Sequence, residues 1–301
     1  MCSNAITHSG PNRPKLISLI LATVDRTARL SLFLEALDGQ TYRHFELIVV
    51  DQNSDARLDA VLSGYTDRFR LVHLRCQRGV SRARNRGLAS ATGDVLGFPD
   101  DDCSYPPDLL RKVAESLTSH PFWQGVTGRC LVENSDREHV GIARFCVTAG
   151  NLTPLGIWTR SCAATMFVRR EIVDATGPFD ESLGPGAGTP WGAAEDMDYV
   201  LRALEAGFTM HYDPDLVVIH PSPPSLHEEA AYRRAFIYGM GTGRVLRIHR
   251  QPFWFVFQLW LRAAGRIVIS LLRMNPRAGL FYLRSLQGRV LGWFSSEPRT
   301  S

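Results

Sequence analysis

A chain of 301 residues, 45% hydrophobic and 10% aromatic, is long enough to bury a large core and too apolar to stay disordered. Its six cysteines (Cys2, Cys76, Cys103, Cys130, Cys146 and Cys162) stand singly, without CxxC or regular spacing, so they suggest neither a zinc cage nor a disulfide framework and favour a reducing compartment. The net charge of +4 is uneven, with 22 basic and 27 acidic residues up to Ser225 against 12 and 3 beyond it, so the basic character sits in the tail.

In chain order, the first fifteen residues are polar with Pro and Gly, lack the basic-then-apolar order of a signal peptide, and read as a disordered lead-in to a cytoplasmic protein. From Pro14 to about Asp102, apolar runs of strand length alternate with helix-compatible stretches. The runs are 16–22, 45–51, 70–75 and 94–100, with helices expected at 27–38, 56–64 and 80–91. Continuous rather than alternating apolarity predicts strands covered on both faces, hence a mostly parallel sheet flanked by helices. A helix is expected from Pro107 to about Ser119, with Pro in its first turn, and strands near 124–132 and 163–169. The stretch 177–192, rich in Gly and Pro, reads as a long substrate loop. It feeds a helix with apolar positions at Met197, Val200, Leu201 and Leu204 and a stop at Gly207.

Beyond the HPSPPS turn at 220–225 the chain becomes aromatic, arginine-rich and helical, which suggests a catalytic unit over 14–225 and an appendage over 226–301. Residues 252–272 approach the length of a membrane span but contain Arg262 and Arg266. Each costs roughly 2.5 to 3.5 kcal/mol near a span's centre, so spanning is disfavoured. At 100° per residue Arg262, Arg266, Arg273 and Arg277 fall within about 60° of arc, one narrow stripe. An interfacial helix explains both facts, with aromatics at the acyl boundary and arginines on anionic headgroups; packing on the main domain is the alternative.

Chemistry concentrates at four places. Asp100, Asp101 and Asp102 follow a strand directly, at the edge where open α/β sheets bind ligands; their repulsion is relieved by a cation or by ligand hydroxyls. Hard oxygen ligands favour Mg2+ or Mn2+, which bridges a carboxylate to a diphosphate; an acidic solvated loop or a helix cap is the plain alternative. In RGVSRARNRG (78–87), Arg82 and Arg86 share a helix face while Arg84 lies across from them, so at least one should point away from water, and phosphate is the natural partner of guanidinium. Asp51 ends the second strand at the same sheet edge and could accept hydrogen bonds from a nucleoside. Glu195 and Asp196 open a helix after the Gly/Pro loop; they are either dipole partners or, for Asp196, the base that takes an acceptor hydroxyl's proton. His220 could offer an imidazole to the metal.

Together, LISLILATVDRTARLSLFLEAL, QTYRHFELIVVDQNSD, RGVSRARNRGLASATGDVLGFPDDD and GPFDESLGPGAGTPWGAAEDMDYVLRALEAG resemble the family-two glycosyltransferases of the GT-A fold over about residues 14–225. The resemblance implies Thr23 and Asp51 on the donor nucleoside, Arg84 near the donor diphosphate, Asp100 near the ribose or sugar and Asp102 on the metal. It also implies Asp196 as general base with Glu195 orienting it or the acceptor. The implied reaction is sugar transfer, with inversion, from a nucleoside-diphosphate sugar to a glycan or lipid-linked acceptor. Expected partners are that donor, that acceptor and an anionic membrane surface, with no nucleic acid; the setting is the inner face of the cell membrane. The family's first strand more often ends in a Pro-Thr-Tyr-Asn-like turn, where this chain has Ala22, Thr23, Val24 and Asp25; Pro99 also stands where an apolar residue is usual. Two rival readings are a nucleotidyltransferase, for which the first loop ATVDRTAR lacks glycines, and an inactive nucleotide-sugar-binding scaffold, against which Asp100, Asp102 and Asp196 argue.

Overall fold

The computed structural model describes residues 15–133, 139–140, 143–221 and 229–295. The N-terminal lead-in and all of the HPSPPS turn except its first two residues lie outside them. The strands are β1 (Ile17–Thr23), β2 (Phe45–Asp51), β3 (Arg70–Arg75), β4 (Val95–Gly97), β5 (Gly125–Val132), the short pair β6 (His139–Val140) and β7 (Ala143–Arg144), β8 (Gly150–Asn151), β9 (Phe167–Arg169) and β10 (Met210–His220). The helices are α1 (Thr27–Asp38), α2 (Asp59–Ser63), α3 (Val80–Leu88), α4 (Leu109–Ser119), α5 (Arg170–Thr176), α6 (Glu195–Glu205), α7 (Glu229–Ile248), α8 (Phe253–Leu272) and α9 (Pro276–Phe294).

An eight-stranded sheet runs in the order β3-β2-β1-β4-β9-β5-β10-β8. Its first four strands are parallel, as is the β5–β10 pair, while β9 and β8 run against their neighbours. The unbroken apolar runs now have a cause. Ile17, Leu19 and Leu21 of β1 and Phe45, Leu47 and Val49 of β2 enter the core beneath α1 and α4. Ile20, Ile48 and Val50 enter a second core beneath α3 and α6. Both faces are covered, and full burial of each such side chain contributes about 1.5 to 3 kcal/mol.

The helices expected at 56–64 and 80–91 are shorter, Asp59–Ser63 and Val80–Leu88, and three further expectations shift. β4 ends at Gly97 rather than 100, since Pro99 has no N–H for the ladder. α4 starts at Leu109 rather than Pro107, whose carbonyl accepts the Thr41 N–H at 2.8 Å and is spent on the turn after α1. The piece expected as a strand over 163–169 opens with a 3-10 turn, Ala163–Thr165, and only Phe167–Arg169 pairs, antiparallel to both β4 and β5.

The tail is three helices. α7 and α9 pack backbone to backbone: a Cβ at Gly288 would stand 2.1 Å from the Phe236 carbonyl, and one at Gly292 2.1 Å from that of Met240. α7 and the residue that follows it are also fastened to α6 and to the loop before it. His249 meets Asp198 at 2.8 Å and Glu205 at 2.6 Å, and the Arg244 guanidinium lies 4.4 Å from the Trp191 ring centre. The arginine stripe does not form. α8 stops at Leu272, Met274 takes a left-handed φ of 52°, and Arg277 belongs to the next helix, so the angular count across 273–277 is void. Arg266 instead stacks 5.5 Å from the Tyr282 ring centre.

Candidate functional site

The parallel register brings Thr23 opposite Asp51 at the carboxyl ends of β1 and β2, and a single bridge sets Ala22 beside Asp100. On the other side, Ser104 pairs with Ile219, the Ser104 N–H reaching the Ile219 carbonyl at 2.7 Å, which brings the end of β10 and His220 to the acid cluster. Residues from positions 23, 51, 100–102 and 220 thus share one sheet edge, where open α/β sheets hold ligands.

Their side chains divide the work. Asp51 is fully buried and accepts from the Asn53 backbone and amide at 2.8 and 2.7 Å, with His73 at 3.3 Å. The Thr23 hydroxyl donates to Asp101 at 2.7 Å. Asp101 turns inward, where burial pushes its carboxyl up against the opposing pull of Thr23 and Arg26. Arg26 donates to Asp101 at 2.8 Å and also to Asp102, a cation between two acids that no sequence pattern flagged. The second oxygen of Asp102 faces His220 Nε2 at 3.4 Å.

Asp100 is accessible from the cleft, its side chain 41% exposed, yet protein closes around it on most sides. That enclosure pushes its carboxyl up to about 6, opposed by Arg84 and reinforced by Asp102.

Arg84 joins the two ends of the site. On α3, across the helix from Arg82 and Arg86, it is the arginine that points inward, with its side chain 3% exposed. Its guanidinium donates to Glu195 at 2.8 Å and stands 3.6 Å from Asp100, above the Phe179 ring at 5.5 Å. Arg82 goes elsewhere, to Glu181 at 3.1 Å. Glu195 and Asp196 enter α6 after Ala194, whose φ of 69° makes the sharp turn from the Gly/Pro loop. Asp196 accepts from the Ala163 N–H at 2.9 Å and the Met197 N–H at 2.8 Å. Burial, and then the Glu195 charge beside it, push its carboxyl up to about 7.

A cavity of about 330 Å3 opens here, lined among others by Asp100, His220, Tyr238, Trp158, Cys162 and Met197. Asp196 stands one residue behind its Met197 wall. Trp158 and Tyr238 were not expected from the sequence, because one lies in an irregular segment and the other in the tail.

Ligand atoms of Asp102, Cys103 and His220 lie within 4.8 Å of one another. The Cys103 thiol, although a hydrogen bond with Cys130 favours its ionised form, is pushed up to about 11 by burial and remains a thiol at neutral pH. What is left, a carboxylate and an imidazole beside further acids, fits a divalent cation of the Mg2+ or Mn2+ kind.

Comparison with known proteins bears on the family and the fold. The family model described as glycosyl transferase family 2 matches residues 18–177. Glycosyltransferase AglE of Haloferax volcanii is 24% identical over 257 residues, 81% of this chain and 79% of the relative. Succinoglycan biosynthesis protein ExoM of Rhizobium meliloti is 27% identical over 225 residues, 71% of this chain and 69% of its own. Among solved structures, the mannosyltransferase PcManGT from Pyrobaculum calidifontis in complex with GDP-Man and Mn2+ superimposes with a TM-score of 0.65 at 16% identity, covering 93% of this chain and 88% of that one. S. aureus TarS 1–349 in complex with UDP-GlcNAc gives 0.58 at 17% identity, with 90% of each chain covered.

Proposed function

The chain belongs to glycosyl transferase family 2, a glycosyltransferase on a GT-A fold, and from that premise we propose an inverting, cation-dependent transfer from a nucleoside-diphosphate sugar to a glycan or lipid-linked hydroxyl. The observation that carries this reading is the single guanidinium of Arg84 touching both Asp100 and Glu195, which puts the acids at 100–102 and at 195–196 in one cleft. The rival nucleotidyltransferase and inactive-scaffold readings make no use of that convergence.

Thr23 and Asp51 take the nucleoside, and Asp100 the ribose or sugar. Asp102 and His220 would hold Mg2+ or Mn2+, which would supply positive charge to a departing diphosphate. Arg84, held rigid by two carboxylates, keeps a fixed charge near that diphosphate. The acceptor oxygen attacks the anomeric carbon from the face opposite the leaving group, its proton passing to the Asp196 carboxylate as the bond to the diphosphate breaks. Glu195 orients Asp196 and holds Arg84. Incubation with Mn2+ and a panel of nucleotide sugars tests the class: a transferase releases nucleoside diphosphate, a nucleotidyltransferase pyrophosphate, a scaffold neither.

Asp102→Asn is expected to weaken Mn2+-dependent nucleoside-diphosphate binding by about 100-fold, read by calorimetry with and without the metal. Equal affinity in the variant would remove Asp102 from the metal site.

The tail beyond residue 225 acts, in this reading, as a membrane-docking unit on the inner face of the cell membrane. α8 is long and apolar enough to cross a membrane by length and composition, with a mean hydropathy of 1.5. One side packs through Phe255 and Val256 on Trp293 and Leu246. The other leaves Trp254, Phe257, Leu261 and Leu272 exposed, and Arg262 lies at the edge of that face. A bare apolar face with a flanking cation suits the plane of an anionic interface. Deleting 251–301 would strip α9 from the glycine seam on α7, so point changes are the cleaner test. Trp254→Glu with Phe257→Glu is expected to reduce cosedimentation with vesicles containing anionic lipid by about tenfold or more, since each buried aromatic contributes about 1.5 to 3 kcal/mol. Undiminished cosedimentation would assign that face to another partner.

A further inference from the structure

A second cavity, of about 350 Å3, lies between the Gly/Pro loop and the first turns of α7. The helix contributes Ala230, Arg233, Arg234, Ile237 and Tyr238, one face at three-and-four spacing. Farther along, the same face of α7 seats directly on the loop: a Cβ at Gly192 would stand 2.3 Å from the Ile237 side chain, and one at Gly241 2.3 Å from the Ala193 carbonyl. The cavity is the place where that contact opens out. From the loop side it is walled by small residues, and Gly184, Gly186 and Gly188 take φ of 95°, 79° and 79°, so backbone rather than side chains faces the space.

Charge makes this cavity unlike the catalytic one. It has no acidic residue in its lining, while both its arginines are exposed and have no carboxylate partner among the described residues. By contrast, around the catalytic unit Arg26, Arg57, Arg68, Arg78, Arg82 and Arg84 each meet an acid. Two arginines line a recess that has no acid in its lining, the nearest carboxylate on the loop side being Glu195 behind Gly184, which Arg84 already holds; forked guanidinium donors of this kind match phosphate oxygens. Tyr238 lines this cavity and also the one that holds Asp100 and His220, so a molecule seated on the arginines is one side chain away from the transfer cleft.

Resting on the transferase reading above, we propose that this recess binds the acceptor through a phosphate group, with Arg233 and Arg234 on the phosphate and Tyr238 between it and the sugar-accepting end. The acceptor class is therefore a phosphate-bearing one, held on the α7 side of the cleft while the donor enters from the carboxyl edge of β1 and β2. Ile237 and the Gly/Pro loop give the recess an apolar wall for the carbon chain or ring next to the phosphate.

The test titrates the full chain with farnesyl phosphate and with farnesol, following intrinsic tryptophan fluorescence or calorimetry. Farnesyl phosphate should bind the native protein at least tenfold more tightly than farnesol. Arg233→Gln with Arg234→Gln should lose about tenfold, and Arg233→Lys with Arg234→Lys should recover most of it. Both pairs are surface changes, and matched far-ultraviolet circular dichroism and melting curves certify the fold. Equal binding of phosphate and alcohol, or full binding in the glutamine pair, would overturn the proposal. So would a glutamine pair that loses only its affinity for vesicles of anionic lipid, since the arginines would then serve the membrane headgroups. Mn2+-dependent nucleoside-diphosphate binding, measured on the native chain, reports on the transferase reading alone: its absence sinks that reading whatever the farnesyl phosphate result.

Discussion

Asp196→Asn is expected to lower kcat by about 100- to 10,000-fold while leaving Mn2+-dependent nucleotide binding unchanged, since a general base acts only on the acceptor proton. The amide is nearly isosteric, but each carboxylate oxygen accepts one N–H, from Ala163 at 2.9 Å and from Met197 at 2.8 Å, so the amide oxygen keeps one of these bonds and its NH2 group gives up the other. The change therefore removes basicity at the cost of one backbone contact. Burial and the adjacent Glu195 charge hold the Asp196 carboxyl up at about 7, well above an ordinary aspartate. A base must be ionised to work, so kcat/KM should fall about tenfold per pH unit below about 7 and level off above it. In the asparagine variant the residual rate should lose that acid limb. Full activity in the variant, or an unchanged limb, would assign the base elsewhere.

The parts of this molecule that were legible in advance are those where one local signal suffices. β2 and α1 stand at the residues expected because a fully covered strand needs an unbroken apolar run and α1 has a clear polar lead-in, and β3, a half-buried edge strand, stands at 70–75 as expected from its shorter apolar run. Helix geometry required at least one of Arg82, Arg84 and Arg86 to leave the water-facing side, and Arg84 is the one that does. Features that depend on distant partners were not legible. Arg26 looks like loop chemistry until the acids 75 and 76 positions away arrive beside it. β9 is three residues long, and only its pairing with β4 and β5 defines it. The failed arginine stripe had a local signal that went unread: Asn275 followed by Pro276 is a helix start, and the Asn275 side chain does cap α9 at Ala278 with a 3.0 Å bond. A helix beginning there requires the previous one to have ended.

Arg84→Met should be the most damaging substitution for stability. The guanidinium is nearly inaccessible and lies among Asp100, Glu195 and Asp196, so methionine fills the space above Phe179 but leaves those acids without their cation. Breaking a buried pair in this way costs about 3 to 5 kcal/mol. The cost should depend on pH with a definite sign. Asp100 and Asp196 already titrate above ordinary aspartates, at about 6 and about 7, because burial disfavours their charged forms, and loss of Arg84 raises both further. The folded state then binds protons that the unfolded chain releases near pH 4, so stability should fall as pH rises from about 4 through 7 and beyond. Melting of the variant should therefore approach that of the native chain at pH 5 and separate from it at pH 8. Adding Glu195→Gln should recover part of the loss, since it removes the acid bonded to Arg84 at 2.8 Å, and the recovered fraction measures their coupling. Arg84→Lys should keep part of the stability but lose the forked contact to both acids, so transfer should suffer more than folding. Melting of Arg84→Met that matched the native chain at every pH would mean that the two acid groups do not share this cation, and the convergence on which the catalytic reading stands would be gone.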